Sequence, residues 1–211
     1  MEYMTPLIYQ KILDTISHIY KKSTNNENID LFRLKDVLDS YSEGQHQSKI
    51  WAVQELNKII NDSYDECFVI GGWYGLFSYL FAESGFKNKI INIEIDDICT
   101  KIAKKLKVHN NISYKTADGL EDFKNWNYHN KILVCTACEH IDEEELYFTF
   151  KQKNPEMIMC LQSNNYYEVN SHINCHDTLE NFMKSLPLKN ILYSGTKRYK
   201  DEYDRFMVIG K

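Results

Sequence analysis

One stretch, CFVIGGWYGLFSYLFAESG from Cys67 to Gly85, constrains the fold more than any other: a short apolar run breaks into a glycine turn that opens an amphipathic segment. Cys67 to Ile70 is too short for a helix and too apolar for a surface element, which suits a strand covered on both faces. Gly71 and Gly72 give backbone freedom at the strand end. Gly75 then lets the chain turn into a helix whose apolar positions Phe77, Leu80 and Phe81 recur at helical spacing, and Gly85 stands where a left-handed C-cap is expected. A helix start of this kind leaves N–H groups unpaired, so a ligand's carboxylate or phosphate settles there; a tight turn without a ligand is the plainer alternative.

The chain has 211 residues, enough for one domain with a sizeable core. No apolar run reaches membrane-spanning length, and MEYMTPLIYQ at the N-terminus lacks a basic region followed by an apolar core, so a cytoplasmic protein is expected. A formal charge of −5 argues against broad nonspecific nucleic-acid binding but leaves room for a local basic patch. The six cysteines are scattered, without the framework of a small secreted domain, and are expected to be reduced and mostly buried.

Two N-terminal helices are expected. Thr5 and Pro6 cap the first, with Ile8, Ile12, Leu13, Ile16 and Ile19 on one face; Leu31, Leu34 and Leu38 mark the second, after the polar loop KKSTNNEN. These helices pack on the main body or form a cap over a cleft. SEGQHQSKIWAVQELNKII follows as a helix with Ala52, Leu56, Ile59 and Ile60 on one face. Ser48 fits its N-cap, and Gln45, His46, Gln47 and Lys49 crowd its entrance, where they cap the helix or touch a ligand.

Beyond the glycine turn, strand and helix alternate. KIINIEID ends a second strand at Glu94, which lies 19 residues after Gly75, near the spacing at which a carboxylate meets a ribose. Asp96 and Asp97 begin the next helix. ISYKTADGLEDF carries a third strand and Asp118, KILVCTACEHI a fourth strand with Glu139 and His140 at its tip, and EMIMCLQSNNYY a fifth. In an open parallel sheet these carboxyl ends flank one crevice, so Glu139, His140, Gln162, Ser163, Asn164, Asn165 and Tyr166 are expected near Gly71. A D-x-x-E capping box at Asp177 and Glu180 opens a further helix. Asn190–Ser194 and Tyr203–Ile209 then form an antiparallel pair joined by GTKRYKDE.

VIGGWYG, the acid of INIEID, TADGLED, the CTACEH strand end and the terminal hairpin together resemble the class I S-adenosylmethionine (SAM)-dependent methyltransferases, and GGWYG, CEH and QSNNY are similar to the strand ends of small enzymes of this class encoded by bacteriophages. The resemblance covers Cys67 to Lys211. It implies an α/β, Rossmann-like seven-stranded sheet, mostly parallel with an antiparallel last strand. The division is then a helical cap over residues 1–45 and a methyltransferase domain over 46–211, forming a single compact unit. It further implies that Gly71, Gly72, Trp73 and Gly75 approach the methionine part of SAM, that Glu94 binds the ribose and that Asp118 lies beside the adenine amino group. Trp73 stands where the family often has a glycine, and Val69 where it commonly has an acid. Because the run does not complete G-x-G-x-x-G, a dinucleotide pyrophosphate fits less well than SAM, which has no phosphate.

The expected reaction is an in-line methyl transfer in which orientation does most of the work. A hydroxyl acceptor needs a base, for which His140 is best placed and Glu139 its rival; helix entry or a structural hydrogen bond is the alternative role for each. No N-P-P-Y motif is present, and the acceptor is a nucleic-acid base or a small molecule. Asn164 or Asn165 would hydrogen-bond it and Tyr166 or Tyr167 would stack on it. No metal is expected: Cys135, Cys138 and His140 suggest zinc, but residues three apart on a strand point to opposite faces, and Cys175 and His176 complete a site only if folded close by. The competing functions are a nucleotide-binding or interaction module without catalysis and an NAD-dependent oxidoreductase.

Overall fold

The computed structural model describes residues 10–17, 31–126, 129–152, 156–199 and 202–211. Residues 10–17 are helical (α1). The chain continues through α2 (Leu31–Ser40), α3 (Glu43–Ile59), β1 (Glu66–Ile70), α4 (Leu76–Glu83), β2 (Lys89–Glu94), α5 (Asp97–Leu106), β3 (Ile112–Thr116) and α6 (Gly119–Phe123). Then follow β4 (Lys131–Cys135), a 3-10 turn (Cys138–His140), α7 (Glu143–Lys151), β5 (Ile158–Asn164), α8 (Leu179–Ser185), β6 (Ile191–Tyr199) and β7 (Tyr203–Gly210).

The strands make one seven-stranded sheet in the order β3-β2-β1-β4-β5-β7-β6. β1 to β5 pair in parallel, whereas β7 is antiparallel to both its neighbours, β5 and β6, so β7 alone runs against the rest. This is the sheet the resemblance implies. The period-2 alternation of strand side chains explains the layering. Cys67 and Val69 of β1 join a core with α3, α4 and α5, while Phe68 and Ile70 join a second core with α6, α7 and α8. β4 and β5 repeat the division, with Ile132, Val134, Ile158 and Cys160 on one face and Leu133, Cys135, Met159 and Leu161 on the other. Both faces are therefore covered by helices, which is why these strands read as continuous apolar runs.

Several local expectations shift. Thr5, Pro6, Ile8, Ile19 and the polar loop 21–28 lie outside the described residues. Among the side chains of α2 that are described, Val37 is the buried apolar one and Leu38 is exposed. α3 starts at Glu43 with Ser42 as its N-cap, so the boundary at 45/46 falls inside this helix. Ser48 is an interior residue of α3 and donates to Gln162 Oε1 at 2.8 Å, because its position faces the sheet rather than the helix end. Asp96 does cap α5, accepting from the N–H groups of Ile98 and Cys99. The cap of α8 is Thr178; Asp177 instead accepts from the Tyr167 hydroxyl at 2.7 Å. β6 extends through GTKRY to Tyr199: Thr196, Lys197 and Arg198 are exposed in succession, but the backbone continues to pair with β7. All six cysteines are unpaired, and five are buried. Among the described residues no helix is long and apolar enough to cross a membrane.

Candidate functional site

The carboxyl ends of β1 to β4 open onto a cavity of about 860 Å³ that is roofed by α2, the start of α3 and the loop after β5. Its floor is the turn after β1. Gly71, Trp73 and Gly75 all have positive φ, at 62°, 47° and 86°. For Trp73 this conformation costs about 1–2 kcal/mol, and a hydrogen bond from its backbone N–H to Glu94 Oε2 at 2.9 Å holds it in place. Space adds a second requirement. A Cβ on Gly72 would lie 2.2 Å from Asn92 Oδ1, and one on Gly75 would lie 2.9 Å from Tyr114 Cε1.

Glu94 ends β2 and accepts from the N–H groups of Trp73 and Asp96, one on each carboxylate oxygen. A carboxylate offers about four acceptor positions, so the two oxygens retain capacity for ligand hydroxyls. Ile95, next in sequence, is 69% exposed on the same wall, an apolar surface of the kind a planar ligand covers. Asp118 caps α6 through Oδ1, which accepts from Leu120 N–H at 2.9 Å and Glu121 N–H at 3.3 Å; its Oδ2 has no partner among the described residues.

α2 is tied to this floor. Asp36 Oδ2 accepts from the Tyr74 hydroxyl at 2.6 Å and from Trp73 Nε1 at 3.3 Å, and Arg33 bridges Asp36 at 3.4 Å and Asp96 at 2.8 Å. Burial, then the bond to Asp36, raises the Tyr74 pKa, so the phenol stays a donor. From α3, Lys49 reaches the cavity wall beside Gln45. Burial, reinforced by the Arg205 charge and only partly offset by Glu139, pushes its pKa down to about 7.

At the end of β4 the chain enters a 3-10 turn that presents Glu139 and His140. Glu139 is 2% exposed. Its Oε1 accepts from Asn164 Nδ2 at 2.7 Å and pairs with Arg205 at 3.3 Å, while Oε2 is buried without a hydrogen-bond partner. Burial opposes the charge of Arg205, yet Glu139 raises its pKa overall. The His140 ring keeps an exposed side; desolvation of the remainder lowers its pKa, against the pull of Glu139. The loop after β5 is pinned over this turn, for the N–H groups of Ile173 and Asn174 both donate to the Glu139 carbonyl, at 2.8 and 3.0 Å. That places His172 against His140, with ring centroids 4.7 Å apart.

Of the residues expected at the site, Gly71, Gly72, Trp73, Glu94, Asp118, Glu139 and His140 line this one cavity. Gly75 shapes the turn beneath it without lining it. Asn164 does not reach the cavity: it is fully buried and spends Nδ2 on Glu139 and Oδ1 on Tyr166 N–H, so it positions Glu139 rather than meeting an acceptor. Gln162, Ser163, Asn165 and Tyr166 also do not gather at Gly71. Gln162 and Ser163 are consumed by bonds to Ser48 and to the Asn174 carbonyl, and Tyr166 and Tyr167 line a separate depression with Asn165, Glu168 and Glu202. Unforeseen members are Asp36, His172 and Arg205. Only Arg205 left a trace in the sequence, as a charge opening the apolar run of the last strand.

No protein-family model matches the chain, and no curated protein matches it. Solved structures do match in fold. A SAM-dependent methyltransferase from Leishmania major aligns with a TM-score of 0.63 at 10% identity, covering 100% of this chain and 88% of that one. The fold is that of the class I methyltransferases. Magnesium protoporphyrin IX methyltransferase from Synechocystis PCC 6803, solved with bound SAM, shares this methyltransferase fold at TM-score 0.59 and 15% identity, over 84% of this chain and 83% of that one. A SAM-dependent methyltransferase from Anabaena variabilis aligns at 0.57 and 17% identity, over 77% and 82%.

Proposed function

We propose that this chain is a SAM-dependent methyltransferase. The observation that carries the reading is the convergence on one cavity of the Gly71–Gly72 turn, Glu94 and Asp118, each at the end of its own strand, in a sheet of methyltransferase topology. A volume of about 860 Å³ lies within the range of about 300–1,000 Å³ usual for small-molecule sites and has room for donor and acceptor together. In this reading the turn backbone receives the amino-acid end of SAM, Glu94 holds the ribose hydroxyls, and Asp118 lies beside the adenine edge, with Ile95 flanking it. The kinship to small bacteriophage enzymes belongs to the same proposal.

SAM, when bound, supplies a methyl group already activated by the sulfonium charge. The protein's part is then to orient and to exclude water. α2, fixed by Asp36 to Trp73 and Tyr74, closes one side of the cavity; the acceptor, a nucleic-acid base or a small molecule, lies between Lys49 and the 139–140 turn. His140, its rival Glu139, and Lys49, neutral in part near pH 7, are groups at this end able to take a proton from an acceptor.

Calorimetry with S-adenosylhomocysteine tests the donor site. Charge-assisted hydrogen bonds of about 1.5–3 kcal/mol are at stake, so Glu94→Ala and Asp118→Ala should each weaken binding by roughly 10–100-fold. Undiminished affinity in both variants overturns the assignment. Stabilisation by NAD and not by S-adenosylhomocysteine would favour the oxidoreductase, and donor binding without turnover on nucleic acids, proteins and small metabolites would favour a binding module.

A further inference from the structure

Glu139, His140 and His172 bring one potential ligand atom each to within 4.8 Å of one another. The three come from two segments, the turn after β4 and the loop after β5, which the bonds of Ile173 and Asn174 N–H to the Glu139 carbonyl lock together. The orientation of each side chain is then informative. His140 Nδ1 lies 3.0 Å from the Ser171 carbonyl and His172 Nδ1 lies 2.6 Å from the Tyr166 carbonyl. A carbonyl oxygen only accepts, so both Nδ1 atoms carry the proton and both Nε2 atoms present a lone pair. Glu139 is arranged in the same way: Arg205 and Asn164 occupy Oε1, leaving Oε2 buried and without a partner. A carboxylate oxygen left without a partner in a residue 2% exposed is costly unless a ligand completes it.

We propose that Glu139, His140 and His172 bind a divalent transition-metal ion at the acceptor end of the cavity. Outer partners that fix the tautomer of each imidazole and the rotation of the carboxylate are what a metal-binding set requires, and here all three ligands have them. Two imidazole nitrogens and one carboxylate oxygen suit Mn²⁺, Fe²⁺, Co²⁺ or Zn²⁺ better than Mg²⁺ or Ca²⁺, which favour all-oxygen sites. Asp142 and Glu145 line the same end of the cavity and add negative charge. The cysteines take no part, since Cys138 is buried with its thiol on the Cys135 carbonyl. This ion departs from the expectation of no metal, which weighed His140 only together with the cysteines and His176.

Three protein ligands leave coordination positions open, and an ion with open positions binds an oxygen of the acceptor and lowers its pKa. The acceptor class is thus a hydroxyl compound, with a vicinal diol able to fill two positions. With His140 committed to the ion and no longer available as a base, the acceptor O–H gives its proton to solvent, its oxygen bonds to the methyl carbon, and the carbon–sulfur bond breaks with its electron pair kept on sulfur; the ion is neither oxidised nor reduced. This role rests on the methyltransferase reading, whereas ion binding does not.

The test is titration of chelator-treated full chain with Mn²⁺, free ion being read by electron paramagnetic resonance, followed by displacement with Zn²⁺. One Mn²⁺ per chain is expected, with affinity at least about tenfold weaker in His140→Ala and in His172→Ala. Both histidines lie on surface segments, so these variants keep the fold even if Glu139→Gln, which strands Arg205, does not. Absence of stoichiometric uptake, or unchanged affinity in both histidine variants, overturns the proposal. S-adenosylhomocysteine calorimetry on the same samples separates the two failures: donor binding without ion uptake sinks the metal site alone, and ion uptake without donor binding sinks the methyl-transfer role while leaving the site.

Discussion

Gly72 illustrates how a single atom constrains the donor turn. Its missing Cβ makes room for Asn92, whose Oδ1 accepts from Ser78 at 2.8 Å inside the core. In Gly72→Ala the new methyl would displace a buried amide, so a loss of about 1–3 kcal/mol is expected, read as a lower denaturant midpoint at constant m-value. Glycine at 71, 72 and 75 was legible in the sequence, because backbone freedom at a strand-to-helix turn is a local property. The reason for Gly72 was not: Asn92 lies on the neighbouring strand, 20 positions away. Glu94 and Asp118 were likewise readable as acids at strand ends, each fixed by its own strand and the helix it precedes. Asn164 looked equivalent, yet its bonds to Glu139 and to the Tyr166 N–H hold it inward, and no local pattern distinguishes an inward from an outward asparagine.

At the level of elements, β4 is the member on which both cores and the candidate chemistry depend. It is bracketed by β1 and β5, its Leu133 is fully buried, and its end delivers Glu139 and His140. Leu133→Ala removes a side chain that tightly packed neighbours cannot replace, and a destabilisation of about 2–5 kcal/mol is expected, checked by thermal or urea unfolding. Most elements were readable because their apolar period is strict. Errors fell where a polar residue has two possible uses. Ser48 reads as a cap but serves an interior bond to Gln162, and Asp177 reads as a cap but serves Tyr167 while Thr178 caps α8. The polar GTKRY segment reads as a link because its exposed side chains hide a backbone that pairs with β7 without a break from Tyr193 to Tyr199.

Across the whole molecule, pH response follows from ion pairs that join distant segments. Asp96 loses to burial but gains more from Arg33 of α2 and from the α5 N–H groups, which lowers its pKa; Glu66, likewise opposed by burial, is lowered by Lys89 and Lys131, and Asp65 by Lys131. A carboxylate depressed on folding contributes stability that is present above its unfolded pKa and lost as pH falls through the folded value. Lys131 works in the opposite sense: despite burial its pKa is raised by Asp65 and Glu66, so its contribution is complete below the unfolded value and is lost as pH rises through the folded one. A plateau of stability between these limits is expected, with acid loss beginning below about pH 4 and blunted in Lys131→Met. A denaturant midpoint measured across pH in both proteins checks this, and an unchanged acid limb would refute it. By itself the sequence determined the alternation of strand and helix, the seven strands with their terminal hairpin, and the glycine turn flanked by Glu94 and Asp118, because each depends on residues within a few turns of one another. Only the tertiary structure decided that α2 locks onto that turn through Asp36, that Arg205 and Asn164 hold one oxygen of Glu139, and that His172 meets His140. Those contacts join residues far apart in the chain, and their energy exists only once the sheet has brought its strand ends together.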